Sequence, residues 1–177
     1  PGIDLVMRYS DDNGKTWSNP VTVAGTAETG GNYGHGDASI VTNRDNGEIV
    51  GIMTSAGTYG HGFFAGTAAE PPRWKTIISK DDGLTWSTPV DHTYDLYGAN
   101  CDNPKTKTWK SGFSGSGAAL QKRDGTLVSS FVNRQADNSQ HFYFFMSKDG
   151  GESWYVSGTS GTSGADEPKS LERNNGD

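Results

Sequence analysis

Ser10-Asp11-Asp12-Asn13-Gly14-Lys15-Thr16-Trp17 decides the fold, because the same pattern occurs twice more. It returns as Ser79-Lys80-Asp81-Asp82-Gly83-Leu84-Thr85-Trp86 and as Ser147-Lys148-Asp149-Gly150-Gly151-Glu152-Ser153-Trp154. The shared form is S-x-D-x-G-x-[ST]-W, and the opening serines stand 69 and 68 residues apart. Specified positions recurring at near-constant spacing mark an internal repeat, which governs how the rest is read. Each position has a physical task. The Asp carboxylate can accept backbone N–H bonds inside a turn. The Gly supplies a positive φ that other residues adopt only at a cost. Ser and Thr hydroxyls can close further local bonds, and the Trp is a large apolar anchor for the turn. The motif is a folding device first.

Working outward, the residues before each box read as strands: Ile3–Tyr9, Lys75–Ile78 and His141–Met146. A second turn recurs between boxes, at Arg44-Asp45-Asn46-Gly47, Arg123-Asp124-Gly125 and Arg173-Asn174-Asn175-Gly176. Asn-Gly and Asp-Gly between apolar runs are hairpin signals. They separate Ala38–Val41 from Glu48–Met53, and Ala118–Gln121 from Thr126–Val132. The order becomes strand, hairpin, strand, long loop, strand, box, short strand. Repetition of such a four-stranded antiparallel unit predicts an all-β protein built from propeller blades. Helix is expected only as a short turn within Asp91–Tyr97. Counting strands places the last two strands of one blade at 1–23, full blades at 37–90 and 117–157, and the start of another at 167–177. The chain is therefore expected to hold about two and a half blades of a larger propeller, which closes only with all its blades present.

Composition agrees. The chain has 177 residues, of which 25 are Gly, about twice the average share. The net charge of −6, with both signs interspersed, argues against a nucleic-acid surface. No run of apolar residues is long enough for a membrane-spanning helix. Cys101 is the single cysteine, so no disulfide can form within the chain.

The boxes and the segments between them resemble the bacterial sialidases (neuraminidases, exo-α-sialidases). Gly36-Asp37-Ala38-Ser39-Ile40-Val41 looks like that family's D-P-[ST] segment on an inner strand. Ser114-Gly115-Ser116-Gly117, then Leu120 and Asp124-Gly125-Thr126-Leu127-Val128, looks like its S-G-x-G…L…D-G-x-L-V segment. Asp166-Glu167-Pro168-Lys169-Ser170-Leu171-Glu172 looks like its [DN]-E-x-x-V-x-E segment. The likeness runs the length of the chain in family order. It implies a propeller of six four-stranded blades in the intact protein and retaining hydrolysis of terminal sialic acid from glycoconjugates. Partners would be sialylated glycans or glycoproteins. No cofactor or metal is implied, and the setting would be secreted, periplasmic or at the cell surface.

By this resemblance Glu172 is the carboxylate paired with a catalytic Tyr that lies downstream of Asp177. A phenol is a weak nucleophile near neutral pH and becomes competent beside a base. Sialidases depart in this way from the usual two-carboxylate pattern of glycosidases. Arg173 stands where the family usually has an apolar residue. Glu167 is the rival on the same inner strand. Asp37 would accept a hydrogen bond from a hydroxyl of the sugar. Phe63 and Phe64 would sit near its N-acetyl and glycerol groups. Asp37 and Glu167 precede a hairpin Gly by ten and nine residues and are expected near the funnel mouth, with Glu172 deeper. The family's acid/base Asp would fall just before Pro1, with Asp4 the nearest substitute, and its Arg clamp finds no match here. The chain alone is therefore expected to be inactive.

His35, His61, His92 and His141 lack metal-ligand spacing, with His35 and His61 read as lying in glycine-flanked loops. Asp11-Asp12-Asn13-Gly14 lacks the glycine and glutamate positions of a calcium-binding EF-hand. The Asp box is also used by non-enzymatic propellers. A carbohydrate-binding or scaffold propeller is accordingly the competing reading.

Overall fold

In a computed structural model of the chain, the structure describes residues 3–25, 33–57, 66–115, 117–158, 163–164 and 166–176. Strands β1 (Leu5–Met7) and β2 (Val21–Ala24) pair antiparallel around the first box. Strands β3 (Tyr33–Thr42), β4 (Ile49–Gly57), β5 (Arg73–Ser79) and β6 (Val90–Asp91) form an antiparallel sheet in chain order. A second sheet holds β7 (Ser111–Ser114), β9 (Leu120–Gln121), β10 (Leu127–Arg134), β11 (Gln140–Ser147) and β12 (Tyr155–Val156). The helical turn is there too, as α1 (Thr93–Leu96).

The strand expected over residues 118–121 is divided. β7 and β9 both pair with β10. Between them β8 (Gly117–Ala118) leaves the sheet and pairs in parallel with β3, Ser39 opposite Gly117 and Ile40 opposite Ala118. Gly117 permits the step with a φ of +107°. The first strands of successive sheets thus lie side by side and run the same way, as blades do around a propeller axis. Residues 166–176 carry no strand ladder. They lead to a turn in which the Gly176 N–H donates to the Arg173 carbonyl.

The boxes fold alike. In the first, the Asp12 carboxylate accepts from the Thr16 N–H at 2.9 Å and from the Thr16 hydroxyl at 2.7 Å, while the Ser10 Oγ accepts from the Gly14 N–H at 2.8 Å. Asp81 and Asp149 take the same bonds from Thr85 and Ser153. Gly14, Gly83 and Gly151 all have positive φ. The Trp86 and Trp154 indoles then donate to the Gly83 and Gly151 carbonyls at 3.1 and 3.0 Å.

Each anchor fills the gap toward the preceding sheet. Trp86 packs with Leu5, Val23, Met53 and Ile77, joining β1–β2 to the first four-stranded sheet. Trp154 joins the two larger sheets, its ring centroid 5.0 Å from that of Trp74 on β5. Trp74 also meets Phe145 edge-on at 5.2 Å and donates its indole N–H to the Ser114 Oγ at 2.7 Å. Val50, Ile52, Tyr97, Trp109, Phe131 and Tyr143 complete this core. Aromatic pairs of this kind add roughly 0.5–1.5 kcal/mol each beyond area burial. Trp17 has no such neighbour among the described residues and is 58% exposed. The four residues of α1 follow from local bonds and burial. The Asp91 carboxylate accepts from the Thr93 N–H, and the Thr93 hydroxyl accepts from the Trp74 N–H, while Leu96 is buried.

The box carboxylates should govern acid stability. The Thr16 hydroxyl, then the Thr16 N–H and the Ser10 hydroxyl, hold Asp12 down to about 2. The Thr85 hydroxyl and N–H lower Asp81. Burial pushes Asp149 up, but its bonds from Ser153 and Ser147 more than offset this. Carboxyls depressed on folding contribute stability that is present above their unfolded value, near 3.8, and lost as pH falls through the folded one. The urea midpoint should therefore hold between pH 7 and about 5 and drop below about 4. Asp81→Asn should be less stable at pH 7 and show a smaller acid drop; an unchanged acid limb would count against this origin.

Candidate active site

The two ends of the sheets differ in chemistry. Ile49 pairs with Ser79 and Leu127 with Ser147, so the hairpin turns at 43–48 and 122–126 lie at the same end as the boxes. Asp37 lies away from that end, where Gly36 pairs with Thr54. The β3–β4 register slips by one residue between Gly36 and Ser39, which leaves Asp37 and Ala38 together opposite Met53. A bulge of this kind bends the strand and re-aims a side chain. It gives Asp37 a φ of +51° inside a strand.

Five non-glycine residues among those described have positive φ. Asn13, Asp82 and Asn138 sit in box or hairpin turns, where Asn and Asp tolerate it. Asp37 and Glu167 are the other two, with Glu167 at +42°. Glu167 also precedes Pro168, whose ring pushes the preceding residue toward extended backbone. Such a conformation costs on the order of 1–3 kcal/mol and persists only where the surroundings impose it.

A relay of short polar bonds ties the two positions together. Thr54, the partner of Gly36, accepts from the Ser114 N–H through its Oγ1 at 3.2 Å. The next residue, Gly115, donates its N–H to the Ser130 carbonyl at 2.9 Å, and the Ser130 hydroxyl donates to the Pro168 carbonyl at 2.7 Å. The segments at Asp37, Ser114–Gly115 and Glu167–Pro168 therefore cross the inner side of the sheets one after another. Gly115 is required there, since a Cβ would stand 2.2 Å from the Pro168 carbonyl oxygen and 2.6 Å from the Ser130 Oγ. Ser114 opens the S-G-x-G segment, whereas Thr54 and Ser130 are small hydroxyl residues that carry no motif signal. They became visible only once the sheets were paired.

The other expected residues are placed differently. Glu172 stands further along the same segment than Glu167, toward the end where the boxes and hairpin turns lie. Its carboxylate accepts from the Arg123 N–H at 3.1 and 3.3 Å and lies 3.8 Å from the Arg123 guanidinium. It stands five positions after Glu167, up to about 17 Å of extended chain. Phe63 and Phe64 lie outside the described residues. His35 is on β3 and not in a loop; it is 2% exposed, with its Nδ1 2.8 Å from the Ser55 Oγ. Arg44 and Arg123 are engaged in the hairpin turns, and Arg73 lies beside Glu70 and Asp91 and over the Tyr94 ring. Among the described residues no group of three His, Cys, Asp or Glu could hold a metal ion.

Residues 2–177 match the BNR repeat-like domain. The chain belongs to that family. Its relatives are sialidases. The sialidase of Clostridium perfringens is 31% identical over 157 residues, taking in 86% of this chain and 40% of that protein. The sialidase of Micromonospora viridifaciens is 27% identical over 180 residues, 97% of this chain and 26% of that protein. Hadza microbial sialidase Hz136 has a TM-score of 0.77 at 26% identity, over 90% of this chain and 32% of its own. Trypanosoma rangeli sialidase, solved as a covalent intermediate with 2,3-difluorosialic acid, matches in fold with a TM-score of 0.74 at 19% identity, over 97% of this chain and 28% of its own. The BNR-repeat chain is thus part of a sialidase-type propeller and spans well under half the length of these relatives.

In a BNR-repeat sheet packed this closely, the backbone at residue 168 depends on the missing side chain at residue 115. Gly115→Ala in the full-length protein should displace Pro168 and move Glu167. The expected crystallographic result is a main-chain shift confined to residues 166–169 with β10 in place. An unmoved Glu167 would show that the close approach does not fix it.

Proposed function

We propose that the full-length protein is an exo-α-sialidase that removes terminal sialic acid from glycoconjugates with retention. The observation that carries this is the pair of acidic residues in left-handed backbone, Asp37 and Glu167, on inner segments set back from the box end. Sequence identity to the Clostridium perfringens sialidase supports it. Glu167, and not Glu172, takes the role of the carboxylate that draws the proton from a tyrosine nucleophile. Its backbone strain fits a group held for chemistry, whereas the Glu172 carboxylate is occupied by Arg123. A neutral phenol avoids the repulsion that a carboxylate nucleophile would meet from the substrate's own carboxylate. Asp37 accepts a hydrogen bond from a sugar hydroxyl. The tyrosine, the acid/base aspartate and the arginines for the substrate carboxylate come from parts of the propeller beyond these residues. Sialylated glycans or glycoproteins are the partners, and the setting is secreted, periplasmic or at the cell surface. No helix among the described residues is long and apolar enough to cross a membrane.

The full-length protein should release the fluorophore from a sialic acid aryl glycoside. Glu167→Gln should lower kcat by about 10²–10⁴-fold, the usual worth of a positioned acid or base. Asp37→Ala should act more on KM, by about tenfold for one lost hydrogen bond. Binding of sialylated glycan without turnover would instead identify a carbohydrate-binding propeller.

A further inference from the structure

Residues 166–176 pose a problem of register. In the two complete sheets the first strand is held by a backbone ladder to its neighbour, β3 to β4 and β7 with β9 to β10. Residues 166–176 occupy the place of such a first strand, up to the turn in which the Gly176 N–H donates to the Arg173 carbonyl. A slip of one residue along an extended segment turns its side chains to the opposite face. Glu167 would be misdirected by that slip, so the contacts that tie this segment to the preceding sheet bear on its position.

Side chains make these contacts at two points. One is the Ser130 hydroxyl on the Pro168 carbonyl, at 2.7 Å. The other is Glu172, whose carboxylate straddles the Arg123 N–H at 3.1 and 3.3 Å. The Arg123 guanidinium closes the contact by donating to the Asn174 carbonyl at 3.0 Å. The Glu172 side chain is 11% exposed and that of Arg123 is 58% exposed, so the carboxylate is the inward partner.

The same device joins the two complete sheets. Gln121 accepts the Arg44 N–H through its Oε1 at 2.7 Å, and the Arg44 guanidinium donates to the Lys122 carbonyl at 2.8 Å. Gln121 and Glu172 each stand four residues before their own turn glycine, Gly125 and Gly176. The Gln121 amide meanwhile donates to Asn43 and Asp45 of the preceding turn, at 3.0 and 3.1 Å. An acceptor side chain on each inner segment thus grips the backbone N–H of an arginine in the preceding hairpin, and the arginine reaches back.

We propose that Glu172 is a positioning residue, one member of a repeated clasp that fixes the register of residues 166–176 and thereby the place of Glu167. Its task is to accept a backbone N–H. An amide oxygen can do that, as Gln121 does, so the negative charge is dispensable. The consequence for turnover rests on the proposed sialidase reading; the clasp itself does not.

The test uses the full-length protein with Glu172→Gln and Glu172→Leu, and reads amide hydrogen exchange at Arg123 and Arg44. Glu172→Gln should leave Arg123 exchange within about twofold of the parent, and Glu172→Leu should raise it about tenfold while Arg44 stays unchanged. Arg44 separates local release from global unfolding, which would raise both. Where the parent turns over a sialic acid aryl glycoside, Glu172→Gln should keep the parent pH–rate profile and kcat, and Glu172→Leu should lower kcat. Unchanged Arg123 exchange in Glu172→Leu would overturn the clasp. Loss of turnover in Glu172→Gln with Arg123 exchange unaltered would overturn the positioning role and put the carboxylate in the chemistry. A parent without activity would contradict the sialidase reading and leave the exchange result to decide the clasp.

Discussion

One carboxylate accepting two bonds from the residue four positions on is the contact the architecture rests on. Asp12, Asp81 and Asp149 each bind the N–H and hydroxyl of Thr16, Thr85 or Ser153. That closes a turn too tight for ordinary backbone, which is why a glycine of positive φ sits inside it. The closed turn presents a tryptophan at a fixed angle to the sheet before it. Without the turn, Trp86 and Trp154 would have no defined approach to Met53, Ile77 or Trp74. The second and third boxes are thus the joints between sheets, at the end where the hairpin turns lie.

The candidate site is set back from the boxes and is made by close approach of inner segments. The bulge at Asp37, the glycine at 115 and the Ser130–Pro168 bond let three segments pass within hydrogen-bonding reach of one another. Rigid joints at the box end and strained backbone at the site are complementary. Strain at Asp37 and Glu167 survives only because the sheets that carry them are pinned elsewhere.

Much of the fold was legible in the sequence because its signals are local. A box or an Asn-Gly turn announces itself within eight residues, so β5, β10, β11 and the α1 turn lie where expected. The divided first strand was not legible, since β8 answers to β3 in another sheet and not to its own neighbours. In the candidate site, Asp37 and Glu167 stand at motif positions, whereas the Arg123 N–H that occupies the Glu172 carboxylate is 49 residues away and leaves no mark in the local sequence. The hydroxyls of Thr54 and Ser130 carry no pattern at all. His35 read as loop because glycines flank it, yet its neighbours pair with β4.

The central claim is that function resides in the inner segments set back from the box end, with Glu167 turned toward substrate and Glu172 turned toward Arg123. A crystal structure of the full-length protein with an unsaturated sialic acid analogue tests it most directly. The account predicts the sugar ring between Asp37 and Glu167, with the Glu172 carboxylate still on the Arg123 N–H. A sugar bound against Glu172, or at the box end, would contradict it.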